Sequence, residues 1–223
     1  MNIKIITFKI FIFLTAFLPG GACLVAQEHR ERPEFHAFAG TMDYQGDYAD
    51  EFYSFTHGIV AGQGMNWYLD RSFNAGFDMN FGWVKGDNAG PRGNKGVLQF
   101  ASFQAEMINL DLLVKYKFNN DYLLKKSSRV CPWLDAGLGV LYATTTGINS
   151  RLGDFYDDIF TENFCLGAGI ECRISSKIGI YLRSQLLLPL SDKIDGWYPA
   201  ISANHNYDQF MINSIGLTFT PGK

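Results

Sequence analysis

Apolar and polar side chains alternate along most of this chain, and that two-residue period limits its fold more than any other feature. In residues 106–118 one face carries only apolar or aromatic side chains, namely Ile108, Leu110, Leu112, Val114, Tyr116 and Phe118. Successive side chains of a β-strand point to opposite faces, so this period predicts strands. No window of the sequence shows the sustained 3.6-residue period of an amphipathic helix.

The alternation recurs often enough to predict eight strands. They are 34–44, 57–69, 74–84, 106–118, 131–143, 163–174, 177–190 and 208–219. Each is long enough to cross a bilayer at a tilt, which takes about 9–11 residues. Four connections are long: 45–56, 85–104, 144–162 and 191–207. Those between them are shorter: 70–73, 119–130 and 175–176. This order is expected when long loops face outside the cell and short turns face the periplasm.

The first residues have the pattern of a cleaved signal peptide. A lysine-bearing start precedes an apolar core at 10–18, which is too short to span a bilayer. We expect a signal peptide at 1–26 and a barrel domain at 27–223. Cleavage after Ala22 and lipid attachment to Cys23 are the alternatives.

The composition narrows the classes of protein to which this strand pattern can belong. Charged residues are 18%, the net charge is −3 and the mean hydropathy is −0.04. These values disfavour a helical membrane bundle and give no electrostatic footprint for nucleic acid. The alternation alone does not say which face points inward, so a soluble periplasmic lipocalin-like ligand-binding barrel stays as an alternative.

Two features favour the membrane. The polar face of the strands is rich in glycine, which suits a narrow lumen. Aromatic residues stand near strand ends, among them Trp133 and Phe219 at one end and Tyr142 and Phe210 at the other. Membrane barrels carry two such girdles at headgroup level. The predicted fold is therefore all-β: an eight-stranded antiparallel up-and-down transmembrane β-barrel, preceded by a cleaved signal peptide.

Three segments carry a resemblance to a known family. Residues 133–142, 164–173 and 214–219 are similar to segments of the outer-membrane β-barrel domain family, the small OmpA-like and PorT-like barrels of diderm bacteria. Only a closed barrel satisfies every strand in lipid, so the strands imply a bacterial outer membrane and contact with its lipid and lipopolysaccharide. An even number of strands with a periplasmic start leaves both termini in the periplasm. The segment Leu217-Thr-Phe219 resembles the C-terminal signal that the barrel assembly machinery reads, although four residues follow it here.

The polar face supplies a set of charges for the lumen. Its predicted ion network contains Asp78, Asp111, Lys115, Lys117, Asp135, Glu171, Arg173 and Arg183. Eight strands enclose an interior that side chains just fill, so these charges are expected to pair as a plug and not to line a wide pore. Within the 164–188 hairpin, Glu171 lies diagonal to Arg183, and the two are predicted to pair.

No catalytic residue, cofactor or metal site is predicted. The expected function is a structural, adhesive or interaction role in the outer membrane, with Trp197 and Tyr198 as candidate contact residues in an outer loop. One alternative is a PorT-like accessory of protein secretion, with an envelope or secretion protein as partner. Another is a rim enzyme, a hydrolase or acyltransferase, for which His57 and His205 would be the candidate bases.

Overall fold

Eight antiparallel strands close into a barrel. The computed structural model describes residues 32–45, 57–87, 101–149, 153–191, 194 and 208–221. The strands are β1 (Glu34–Gln45), β2 (His57–Tyr68), β3 (Phe73–Asp87), β4 (Ala101–Lys117), β5 (Val130–Asn149), β6 (Gly153–Arg173), β7 (Ile178–Pro189) and β8 (Gln209–Phe219). Each strand pairs with its sequence neighbours, and β1 pairs with β8. The predicted up-and-down topology is confirmed. The proposed signal peptide lies outside the described residues.

Among the residues that the structure describes, no helix is long and apolar enough to cross a membrane.

Three short connections lie at one end of the barrel, together with the start of β1 and the end of β8. We call this the turn end and the opposite one the loop end. In the turn after β2, the Asp70 carboxylate accepts hydrogen bonds from the backbone N–H groups of Ser72 (2.6 Å) and Phe73 (2.7 Å). In the turn after β6, the Ser175 hydroxyl accepts in the same way from the N–H groups of Lys177 and Ile178. Asp and Ser side chains stabilise tight turns through such hydrogen bonds, and these two connections are therefore short.

The β5–β6 hairpin is much longer than the sequence predicted. Residues 144–162 were expected to form a long loop, but the two strands pair as far as Asn149 and Gly153. The two-residue period continues there, with Thr145 and Ile159 buried on the inner face. β-Branched residues favour strands, and this preference outweighs the polar composition that suggested a loop.

The outside of the barrel is apolar. Large apolar side chains point away from the lumen on every strand, and Leu112, Leu138, Leu182 and Ile215 each expose more than half of their surface. Aromatic rings border this band at the turn end (Phe35, Trp67, Phe73 and Phe219) and at the loop end (Tyr142, Phe160 and Phe164). An apolar band between aromatic girdles is the exterior of a transmembrane barrel. A lipocalin-like soluble barrel would point this face inward.

The interior has two halves of different chemistry. Toward the loop end it is filled by apolar side chains, namely Met42, Val84, Phe103, Leu141, Leu187, Phe210 and Ile212. Toward the turn end it is filled by polar ones, namely His36, Asn66, Asn74, Asp78, Asp111, Asp135 and Arg183. Glycines make room for the rings: a Cβ on Gly216 would lie 2.4 Å from the ring of Tyr181. The lumen is therefore a packed core, as expected for eight strands.

Candidate functional site: the lumen ion network

Arg183 joins three strands across the polar half of the lumen. Its guanidinium, extending from β7, donates one hydrogen bond to Asp78 on β3 and another of 2.8 Å to Asp135 on β5. All three side chains are buried. Charge-assisted bonds of this kind are about twice as strong as neutral ones, and a guanidinium can serve two carboxylates at once. We call Asp78, Asp135 and Arg183 the Arg183 bridge.

Two further side chains extend the Arg183 bridge at its ends. His36 Nε2 lies 2.7 Å from the second oxygen of Asp78. The indole N–H of Trp133 donates to the second oxygen of Asp135, at 2.9 Å. All four carboxylate oxygens of the bridge therefore have a partner. Burying charge is costly unless it is paired and hydrogen-bonded in this way.

The predicted pair of Glu171 and Arg183 does not form. The register places Arg183 opposite Gly169 and Glu171 opposite Tyr181. The Arg183 side chain crosses the lumen to β3 and β5, where two carboxylates are available, instead of staying within its own hairpin. Glu171 accepts a hydrogen bond of 3.1 Å from the Thr218 hydroxyl.

The other predicted charges occupy different places. Lys115 lies 3.8 Å from Glu34 and 4.7 Å from the centre of the Trp133 ring. Asp111 is buried among amides. Lys117 and Arg173 lie near the turn end, outside the Arg183 bridge: the Lys117 ammonium sits over the Tyr68 ring, and Arg173 donates to the carbonyl of Lys126. Lys117 is the last residue of β4 and Arg173 is the last residue of β6, where the lumen meets the turns.

The sequence predicted the wrong position for two residues of the site and gave no lumen position for a third. Trp133 was expected in an aromatic girdle, but it points inward and is 4% exposed. Phe210 was expected in the other girdle, and it is fully buried in the lumen. His36 was not recognised at all as a lumen residue. The signal for these residues was the period itself, because each shares its face with a glycine of the same strand: Trp133 with Gly137, Phe210 with Gly216 and His36 with Gly40.

The loop end of the lumen is closed by a cap. The Tyr44 hydroxyl donates to Asp208, and the second oxygen of Asp208 accepts the backbone N–H of Ile194 at 2.8 Å. The Tyr44 ring packs on Phe103 and Phe210, with centroids 5.0 Å and 5.4 Å apart. We call these five residues the apolar cap. The cap and the Arg183 bridge together occupy the two halves of the described lumen with buried side chains.

The described residues include the side-chain types that commonly ligate metals, namely His, Cys, Asp and Glu. No group of three or more His, Cys, Asp or Glu residues among them could hold a metal ion. Cys131, Cys165 and Cys172 are free thiols. The candidate contact residues Trp197 and Tyr198 lie outside the described residues, as do His205 and the side chain of His57.

One polar feature faces outward instead of inward. Thr41, Asn213 and Ser184 pair in register across β1, β8 and β7 on the outer face, and all three are exposed. The Ser184 hydroxyl donates to the Asn213 side-chain oxygen at 2.8 Å. Asn213 lies six residues along β8 from the girdle residue Phe219, about 15 Å along the barrel axis for a strand tilted by about 40°. We call these three residues the outer polar row, and it falls inside the apolar band.

The solved structures that share this fold include the following two. The crystal structure of Neisserial surface protein A (NspA) has a TM-score of 0.54 and 11% sequence identity, and the match covers 85% of this chain and 97% of that one. The crystal structure of a major outer membrane protein from Thermus thermophilus has a TM-score of 0.50 and 10% identity, covering 86% and 99%. The sequence matches no family model and no curated protein. At such identities the likeness shows the fold alone: that of a small outer-membrane β-barrel.

Proposed function

We propose that this protein is an integral outer-membrane barrel that acts through its surfaces and does not conduct solutes or catalyse a reaction. The observation that carries this proposal is that buried side chains fill the lumen in both of its halves. The Arg183 bridge fills the turn-end half, and the apolar cap fills the loop-end half. A barrel closed in this way has only its outer face and its connections left for contact with other molecules.

The proposed location is the bacterial outer membrane, with OmpA-like topology. The apolar exterior and the two aromatic girdles support insertion in a bilayer. The short turns and both ends of the barrel sheet lie at the same end, which we assign to the periplasm because trailing turns of such barrels are short. Outer-membrane lipid, lipopolysaccharide and the barrel assembly machinery are the partners that this location implies.

The outer polar row supports an interaction role within the membrane. In the hydrocarbon region a polar side chain gains no hydrogen bond from water, so an exposed Asn is costly there. The amide N–H₂ of Asn213 can donate to a second barrel, and its oxygen can accept, so a second copy facing the same row satisfies both. We therefore propose self-association through β7, β8 and β1.

No observation favours a rim enzyme. Asp208, which follows the candidate base His205 by three residues in the sequence, is engaged with Tyr44 and with the backbone of Ile194 in the apolar cap. A secretion accessory of the PorT-like type would need a protein partner on the connections, and no described contact points to one. The interaction role therefore rests on the outer polar row.

Two experiments test the proposal. Reconstituted wild-type protein in planar bilayers should show no defined conductance steps, and steady channel openings would contradict a closed lumen. A photo-crosslinking residue in place of Asn213 should yield a covalent dimer in intact cells, whereas the same residue at Leu112, an outward position on β4 across the barrel, should not. Equal yields at both positions, or none at Asn213, would show that the outer polar row is not a contact surface.

A further inference from the structure

Asp111 and two asparagines form a ring of side chains in the centre of the lumen, and two of its three sides are hydrogen bonds. Asn109 donates to one oxygen of Asp111 at 2.7 Å, and Asn163 donates to the side-chain oxygen of Asn109. None of the three is more than 1% exposed. We call Asp111, Asn109 and Asn163 the Asp111 ring; it connects β4 to β6.

The third side of the Asp111 ring brings two acceptors together. Asp111 Oδ1 and Asn163 Oδ1 have no hydrogen-bond partner. Both border Gly139, which pairs with each residue in register: a Cβ there would lie 2.1 Å from the first oxygen and 2.5 Å from the second. The two oxygens are therefore no more than 4.6 Å apart. A third unpartnered acceptor, Asn80 Oδ1, is buried on the neighbouring strand.

Turning the amide groups does not remove this conflict. The Asp111 ring has three contacts made by four oxygens and two nitrogens, because a carboxylate offers two oxygens and each amide one oxygen and one nitrogen. Whichever way the two asparagines face, one contact joins two oxygens. A buried acceptor without a donor costs free energy comparable to a lost hydrogen bond, so the third contact needs either a proton on Asp111 or a cation between the two oxygens.

No cationic side chain that the structure describes completes the Asp111 ring. Arg183, the buried guanidinium of this half of the lumen, is committed to Asp78 and Asp135, and Asp111 forms no ion pair with any described residue. Instead, the amides of Asn109, Asn80 and Gln185 all donate to its Oδ2. All three donated bonds therefore fall on one oxygen of Asp111, and Oδ1 is left without a donor.

We propose that the Asp111 ring binds a hard cation, Na⁺ or Ca²⁺, between Asp111 Oδ1 and Asn163 Oδ1. Hard cations take carboxylate and amide oxygens as ligands, and Ca²⁺ binds them at about 2.3–2.6 Å. Two oxygens no more than 4.6 Å apart can therefore share one ion. The bound ion neutralises the carboxylate and ties β4 to β6 where the polar half of the lumen meets the apolar half. This role is structural and goes beyond the proposed function.

The test compares unfolding in different salts. Purified protein in detergent is melted in NaCl, in CaCl₂ and in N-methyl-D-glucamine chloride at equal ionic strength, where the last cation is too large for the lumen. A bound cation should raise the midpoint by about 5–10 °C at a hundredfold excess over its dissociation constant. The salt that gives the larger shift identifies the ion, and calorimetric titration with that salt alone should give one site per chain.

Asp111→Asn is the decisive variant. The substitution gives the ring three nitrogens and three oxygens, so every contact can be a hydrogen bond without an ion. It should fold, lose the cation-dependent shift and keep its midpoint in N-methyl-D-glucamine chloride. The matched control is Asp135→Asn, a buried acid whose partner is Arg183; it should melt lower but keep the cation shift. Equal midpoints in all three salts for the wild type, or an unchanged shift in Asp111→Asn, would overturn the proposal.

Discussion

Trp133 on β5 lies flat against Gly169, the residue that pairs with it on β6. A Cβ on Gly169 would lie 2.2 Å from the Trp133 ring, and the register places the two residues directly opposite each other. The missing side chain is what allows the indole to lie inside an eight-stranded lumen and to donate to Asp135. The glycines of the inner face are thus complementary in shape to the rings and charges of neighbouring strands.

The first prediction concerns this contact. Gly169→Ala should destabilise the barrel by about 1–3 kcal/mol, because an added methyl group must displace a ring that is hydrogen-bonded and enclosed. The measurement is unfolding by urea after reconstitution in lipid vesicles. Ala168→Val, an apolar change at the adjacent position on the outer face, is the control and should change stability little. If Gly169→Ala were as stable as the wild type, Trp133 would not be packed against this strand.

The second prediction concerns the Arg183 bridge. Arg183→Met should lower the free energy of unfolding by about 3–5 kcal/mol, because it leaves two carboxylates buried without their cation. Adding Asp78→Asn and Asp135→Asn to Arg183→Met should recover part of the loss, since neutral amides cost less to bury.

Glu171 provides the control for the second prediction. Its partner is Thr218, so the losses from Glu171→Gln and Arg183→Met should add within about 0.5 kcal/mol. A strong coupling between these two substitutions would instead support the pairing within the β6–β7 hairpin that the sequence suggested. Unfolding of the two single variants and the double variant under one set of conditions decides between these arrangements.

The strands could be predicted from the sequence because alternation is a local property. The partners of Arg183 could not, because Asp78 is 105 residues away and becomes a neighbour only when β8 meets β1 and the lumen closes. The sequence offered a nearer acid, Glu171, and local distance favoured it. Closure of the barrel also decided which aromatic residues point inward: Trp133 and Phe210 stand near strand ends like girdle residues, but their place in the two-residue period puts them in the lumen.

The third prediction concerns the apolar cap. Phe210→Ala should cost about 3–5 kcal/mol, since the ring is fully buried against Tyr44. It should also create a local cavity without opening a channel, because the Arg183 bridge still fills the other half. Planar-bilayer recordings of Phe210→Ala, Arg183→Ala and the double variant test this. Only the double variant is expected to conduct, and conductance in Phe210→Ala alone would show that the bridge does not seal the lumen.

The last prediction concerns orientation, on which every role for the loop-end surface depends. Asp154 is exposed at the loop end of the β5–β6 hairpin, and Ser176 is exposed in the turn after β6. In a background without the native cysteines, Asp154→Cys should react with a membrane-impermeant maleimide on intact cells. Ser176→Cys should react only after the outer membrane is permeabilised, because we place the short turns in the periplasm. The same two variants denatured in detergent give the full labelling against which both are scaled. Labelling of Ser176→Cys on intact cells, with Asp154→Cys protected, would show that the barrel is inserted the other way and that its loop end faces the periplasm.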